Sequence, residues 1–172
     1  MASRVFADLA FGPKIVIPAA HVFYVSPSGL SAAFVNLKPL VKHHVLVVPT
    51  APGARLTDLA PEAMSDLALA AQHVISVFGT RLAEPGALEP PPFTCAVQDG
   101  AGAGQTVAHV HFHLLPRTPG DFDRNDDVYT ALDAPDSERM PRSFDDMAAE
   151  AAELRSWFEA VEPSPAAAAH TQ

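Results

Sequence analysis

The chain has 172 residues, 48 % hydrophobic and 18 % charged, which fits one folded domain over residues 1–160 with a frayed tail over 161–172. Eleven Lys and Arg face 20 Asp and Glu, a net charge of −9 that excludes a basic nucleic-acid-binding domain. The imbalance is local: residues 1–120 hold seven basic and seven acidic side chains, the remaining 52 residues four and 13, so the front part is electrically free to host an anion.

Seventeen prolines punctuate the chain and favour short strands over long helices. Runs rich in Val, Ile, Phe and Leu, bounded by Pro, Gly or Ser, predict strands over 15–17, 21–25, 31–37, 44–49, 93–98 and 108–115. Pro27, Ser28 and Gly29 mark a turn, so 21–37 reads as a hairpin. Pro61 opens a helix with Glu62 near its positive end; Met64, Leu67, Ala71, Val74, Ile75 and Phe78 keep helical spacing, and Gly79 reads as its stop. Residues 84–92 read as a linker loop. Cys95, the single cysteine, lies in the apolar run 93–97 and reads as a buried, inert thiol; one cysteine rules out a disulfide framework. The segment 118–142 shows no period and many charges, and is expected to be a mobile loop, able at most to close over a site with Arg124 or Tyr129. Ser143 with Asp146 resembles a capping box, and Met147, Ala151, Leu154, Phe158 and Val161 then form one apolar stripe. Trp157 beside that stripe reads as core packing. Hairpins and two helices make the fold class α+β.

The chemistry concentrates at His109-Val110-His111-Phe112-His113. On a strand, residues i, i+2 and i+4 share one face, so three imidazoles line up while Val110, Phe112 and Leu114 point away. A metal site is one use, but the outer two would lie about 13 Å apart, too far for one tetrahedral ion to take all three without strain. The other use is nucleophilic catalysis, since a neutral imidazole can attack phosphorus and form a labile phosphoimidazolium. That chemistry needs a phosphate cradle. Residues 98–107 supply a candidate: Gly100, Gly102 and Gly104 run directly into the histidine segment and permit close backbone approach and an anion-binding nest.

The histidine run with Leu114-Leu115-Pro116 is similar to the signature of the histidine-triad family. Phe34–Pro39 (FVNLKP), His44–Pro49 (HVLVVP), the loop QDG…GQTV over 98–107, LPR…GDFDRND over 115–126 and MAAEAAELR over 147–155 resemble its fragile histidine triad branch, across roughly residues 11–158. The resemblance implies an antiparallel sheet of about five to six strands with one long helix and a C-terminal helix. It also implies hydrolysis of P1,P3-dinucleoside triphosphates, such as diadenosine triphosphate, to AMP and ADP through a nucleotidyl-histidine. By that resemblance His111 is the nucleophile, His113 bonds phosphate or the bridging oxygen, and His109 positions His111. Gln98 contacts phosphate, Gly104, Gln105, Thr106 and Val107 cradle it, Asn36 binds a ribose, and Phe11, Leu37 and Leu46 frame the base. Tyr129 matches a tyrosine of the family's flexible segment. Two positions depart from the pattern. His43 stands where a glycine is common, and Lys14 where an imidazole is often found; Lys14 either adds charge for polyphosphate binding or faces solvent. Adenosine 5'-phosphoramidase activity and a nucleotide-binding signalling module with little turnover are the alternatives.

The expected companions are a dinucleoside polyphosphate substrate, a divalent cation (Mg or Mn) arriving with it, no tightly bound cofactor and no dedicated protein metal site. A homodimer with a sheet continuous across both chains is implied by the family. No apolar stretch approaches the ~20 residues of a membrane span, and Asp8, Gly12 and Pro13 interrupt any signal-peptide core. The expectation is therefore no membrane, no nucleic acid, and a cytoplasmic or nuclear setting.

Overall fold

The computed structural model describes residues 6–159. Seven strands and three helices follow one another as β1 (Leu9–Phe11), β2 (Ile15–Ile17), β3 (Val22–Val25), β4 (Ser31–Val35), β5 (Val45–Pro49), α1 (Pro61–Leu82), β6 (Phe93–Val97), β7 (Phe112–Pro116), α2 (Asp127–Asp133) and α3 (Phe144–Glu159). Strands β3 to β7 form an antiparallel sheet in the order β3-β4-β5-β7-β6, and β1 pairs with β2 as a separate hairpin. Among the described residues no helix is long and apolar enough to cross a membrane.

Alternation along the strands feeds two different cores. Ala33 and Val35 of β4, Val45 and Val47 of β5, and Leu114 of β7 pack under α1 and α3 with Leu67, Val74, Phe78, Met147, Ala151 and Leu154. On the opposite face Ala32, Phe34, Leu46 and Val48 meet Leu9, Phe11 and Ile17 of the hairpin. Both faces of β4 and β5 are thus covered, which is why these strands read as continuous apolar runs. Trp157 packs on Phe78, with ring centroids 5.1 Å apart. Ser143 caps α3: its Oγ accepts the Asp146 N–H at 3.1 Å. Val161 and the expected tail at 161–172 lie outside the described residues.

Four expectations need correction. Gly79 does not stop α1, which runs to Leu82; it is a buried glycine where the 84–92 loop folds back, a Cβ there standing 3.2 Å from Pro90 Cβ. Cys95 is exposed on edge strand β6 instead of buried, although partial desolvation still raises its thiol pKa. The histidine strand starts at Phe112, so His109, in a bend over 107–109 closed by its N–H on Val107 O, and His111 both precede β7. Their alternation survives, because Val110 joins the helix-side core and Phe112 packs against it. Finally, the acidic segment folds: α2 places Val128 and Leu132 on Leu115 of β7 as a third small core.

The sequence predicts β2 but not β1, with which it pairs as a hairpin. Its turn contains Gly12 at φ +70°, where a Cβ would lie 2.9 Å from Val107 Cγ1. The missing side chain lets the hairpin press on the end of the glycine loop.

Candidate functional site

Between the hairpin and α2, floored by the sheet, lies a cavity of about 420 Å³, a volume suited to a small organic ligand. Its walls include Phe11, Asn36, Leu37, Leu46, Gln98, Gly104, Gln105, Thr106, Val107, His111 and His113. The structure therefore brings together most residues that the resemblance singled out. His109 sits one step behind, and Lys14 is exposed at the hairpin turn, off the cavity wall, while its neighbour Ile15 lines it. Tyr129 is 53 % exposed and Arg124 pairs with Asp127 at 2.8 Å; neither lines the cavity. What the acidic segment does contribute is Leu132, Asp133, Ala134, Pro135 and Arg139.

Hydrogen bonds fix the protonation geometry of the histidines. A carbonyl can only accept, so the 2.7 Å contact between His111 Nδ1 and His109 O makes Nδ1 the protonated nitrogen. In the neutral ring the lone pair is then on Nε2, the nitrogen that can attack. His109 is held in turn by donating from Nε2 to Pro49 O at 2.8 Å. The sequence pattern gives no role to His44, the first residue of the His44–Pro49 motif. Its Nδ1 accepts the Leu40 N–H at 3.2 Å, so its proton is on Nε2, which donates to His113 Nδ1 at 3.0 Å. His113 must then carry its own proton on Nε2. That nitrogen is buried and has no hydrogen-bond partner among the described residues. A buried donor left unmatched is costly, so this N–H is poised for an acceptor brought by a ligand.

Burial is the main reason that both His44 and His113 stay neutral. It pushes His113 down to about 3, helped by the charges of His111 and Arg139. His44 is held well below its ordinary value of 6.5, again by burial first and then by His113 and the neighbouring arginines. As pH falls below about 6.5, the unfolded chain takes protons that these two folded rings refuse, so stability declines with acidification. Urea midpoints measured near pH 7.5 and near pH 5 are expected to show the lower stability at about pH 5.

The glycine loop is built differently from an open nest of amides. Ala103 N–H bonds Gly100 O, and Gly104 N–H bonds Ala101 O, closing a short 3-10 turn, while Gln105 N–H returns to Gly100 O. The Gln105 side chain is engaged as well: its Oε1 accepts Gly100 N–H at 2.7 Å, and its Nε2 donates to Ala54 O at 2.9 Å and His109 O at 3.1 Å. Gln105 thus ties the loop to the very carbonyl that orients His111. Gly104, at φ +84°, lets the Gln98 side chain lie against the loop, where a Cβ would come within 2.4 Å of Gln98 Nε2. Gln98 Nε2 donates to Asp133 at 3.3 Å.

Asn36 is placed by its own turn, its Oδ1 accepting Lys38 N–H at 3.0 Å. Its carbonyl accepts from Arg142 Nη2 at 2.6 Å, and Arg142 pairs with Glu150 on α3. His43 joins the same carboxylate, Nδ1 to Oε1 at 2.9 Å, with its ring 5.2 Å from Trp157. The sequence signal for His43 was its replacement of a glycine; the structure gives the reason that glycine suits the position, a φ of +60°. Among the described residues no group of three or more His, Cys, Asp or Glu converges as a metal site.

Comparison with known proteins identifies the family. The HIT domain model matches residues 17–120. A protein of Arabidopsis thaliana named bifunctional bis(5'-adenosyl)-triphosphatase/adenylylsulfatase FHIT is 44 % identical, covering 91 % of this chain and 88 % of that one. A bis(5'-adenosyl)-triphosphatase of Dictyostelium discoideum is 42 % identical, over 87 % of this chain and 92 % of its own. The crystal structure of Plasmodium falciparum diadenosine triphosphate hydrolase in complex with Cyclomarin A superposes with a TM-score of 0.69 at 28 % identity, covering 88 % of this chain and 84 % of that one. The chain therefore belongs to the HIT domain family, the histidine-triad proteins.

Proposed function

We propose that the chain hydrolyses P1,P3-dinucleoside triphosphates, with diadenosine triphosphate giving AMP and ADP, through a nucleotidyl intermediate on His111. The observation that carries this reading is the pair of tautomers. His111 offers a lone pair at Nε2, and His113 offers an N–H beside it, in one cavity. His111 Nε2 attacks the α-phosphorus; a P–N bond forms as the P–O bond to the bridging oxygen breaks. The His113 N–H bonds that oxygen as its charge develops, and ADP leaves. Water then attacks the same phosphorus, the P–N bond breaks, and AMP is released with His111 regenerated. Donors held in advance where charge develops need no reorganisation at the moment of reaction. Phe11, Leu37 and Leu46 offer apolar walls for a base, and Asn36, on the same cavity wall, would bond a ribose. Lys14, exposed at the hairpin turn, keeps at most a long-range attraction for polyphosphate.

A divalent cation, Mg or Mn, would arrive on the phosphate chain and neutralise its charge; the described cavity wall offers it one carboxylate, Asp133. The chain is further proposed to act in the cytoplasm as a homodimer joined along β6. That strand ends the sheet, and its outer edge of backbone amides and carbonyls is suited to pairing with a second copy.

The test is hydrolysis of diadenosine triphosphate in ¹⁸O-water with Mg²⁺. AMP and ADP with label in AMP alone are expected. Label in ADP would overturn attack at the α-phosphorus. Faster turnover of adenosine 5'-phosphoramidate than of the triphosphate would move the assignment to a phosphoramidase.

A further inference from the structure

The cavity carries little charge for a phosphate-chain site. Among its described lining residues the charged ones are Lys38, Asp133 and Arg139, whereas a triphosphate bridge brings one negative charge per phosphate. Arg139 comes from the acidic segment, whose other charged side chains mostly repel an anion. It is half-buried, and its Nη2 donates to Ala134 O at 3.1 Å. Ala134 closes α2 by bonding Thr130 O. Val128 and Leu132 in turn fasten α2 to Leu115, two residues beyond His113 on β7. The guanidinium is therefore tied to the same strand as the catalytic donor.

The Arg139 charge acts on His113 and on His44 behind it. Arg139 and His113 line the same cavity, so the guanidinium shares the space into which the leaving oxygen is drawn in the proposed mechanism. A permanently charged, planar fork in a partly desolvated place is suited to phosphate oxygens.

We propose that Arg139 is a specificity-determining residue that contacts the phosphate beyond the scissile one, so that the cavity selects substrates whose leaving group is itself a phosphate chain. The proposal rests on the hydrolase reading above. It assigns the folded acidic segment a recognition task for which Arg124 and Tyr129 are badly placed.

The experiment compares Arg139→Gln and Arg139→Lys with the wild type on two substrates. Diadenosine triphosphate has a phosphate leaving group; adenosine 5'-phosphoramidate has a single phosphorus and none beyond it. Arg139→Gln is expected to lower kcat/KM on the triphosphate by about tenfold or more while changing the phosphoramidate less than about twofold. Arg139→Lys is expected to recover part of the loss on the triphosphate, since it restores charge without the fork. An equal fall on both substrates would mean that Arg139 acts only through the histidines or the packing of α2, and would overturn the proposal, as would no change on either. A wild type that turns over phosphoramidate but not the triphosphate would instead overturn the hydrolase reading itself.

Discussion

Replacing His111 by Asn is expected to abolish turnover of diadenosine triphosphate, with kcat falling by about 10⁴-fold or more, while the substrate dissociation constant changes only a few-fold. The asymmetry follows from the geometry. His111 contributes a lone pair, and among the described residues lining the cavity no other group is held in the same relation to the His113 donor. The binding surface is supplied elsewhere, by the hairpin, the glycine loop, Asn36 and α2. An Asn amide can still donate toward His109 O, so the entry to β7 keeps its anchor. Calorimetric affinity and single-turnover kinetics on the same preparation separate the two effects. Loss of affinity in step with loss of rate would show that His111 holds phosphate in the ground state instead of attacking it.

The second large effect concerns stability. Glu150 sits on α3 with a side chain 12 % exposed, between His43 at 4 % and Arg142 at 22 %. Burial alone would push its carboxyl up, but the hydrogen bonds from His43 and Arg142 outweigh that and hold it below its ordinary value of 4.5. Glu150→Ala leaves the Arg142 guanidinium and the His43 ring without their carboxylate. It is expected to cost about 3 kcal/mol, read from urea unfolding at neutral pH. The wild type gains from this carboxylate above about pH 4.5. As pH falls below that, the unfolded chain binds the proton first and the gain is lost. The stability gap between wild type and Glu150→Ala should therefore narrow in acid. At His43 the backbone sets the order of two variants. His43→Gly loses the ion pair but relieves the φ of +60°; His43→Ala loses the pair and keeps the strain, and should be less stable than His43→Gly by about 1 kcal/mol. A gap that does not narrow in acid would show that Glu150 matters for packing alone.

Much of this architecture was legible before any coordinates. Strands β2 to β7 followed from apolar runs bounded by Pro, Gly or Ser, and helices α1 and α3 from apolar side chains at helical spacing, because one face of each helix is buried on the sheet. Helix α2 left none: its seven residues bury only Val128 and Leu132 amid acidic neighbours. Gly79 misled because a glycine that ends a helix and a glycine that admits a packed loop look alike in one dimension. The alternating histidines announced the site, yet nothing local indicated that His44 sets the tautomer of His113. That contact spans 69 positions and exists only because β5 and β7 are neighbours. The link from Arg142 to Asn36 spans 106 positions and was invisible for the same reason. Cys95 illustrates the reverse error, an apolar neighbourhood in sequence that becomes an outer edge in space.

The cavity is a seam between unequal parts. Its floor belongs to strands of the five-stranded sheet, whereas its walls are a short hairpin held by Leu9, Phe11 and Ile17 and a helix held by Val128 and Leu132. Opening costs scale with the contacts that must be broken, so the walls part far more readily than the floor deforms. Amide hydrogen exchange should rank accordingly, with α2 and β1–β2 exchanging well before β5 and β7. A nucleotide held between both walls would act as a clasp, slowing exchange at two segments more than a hundred positions apart while the histidine floor stays unchanged.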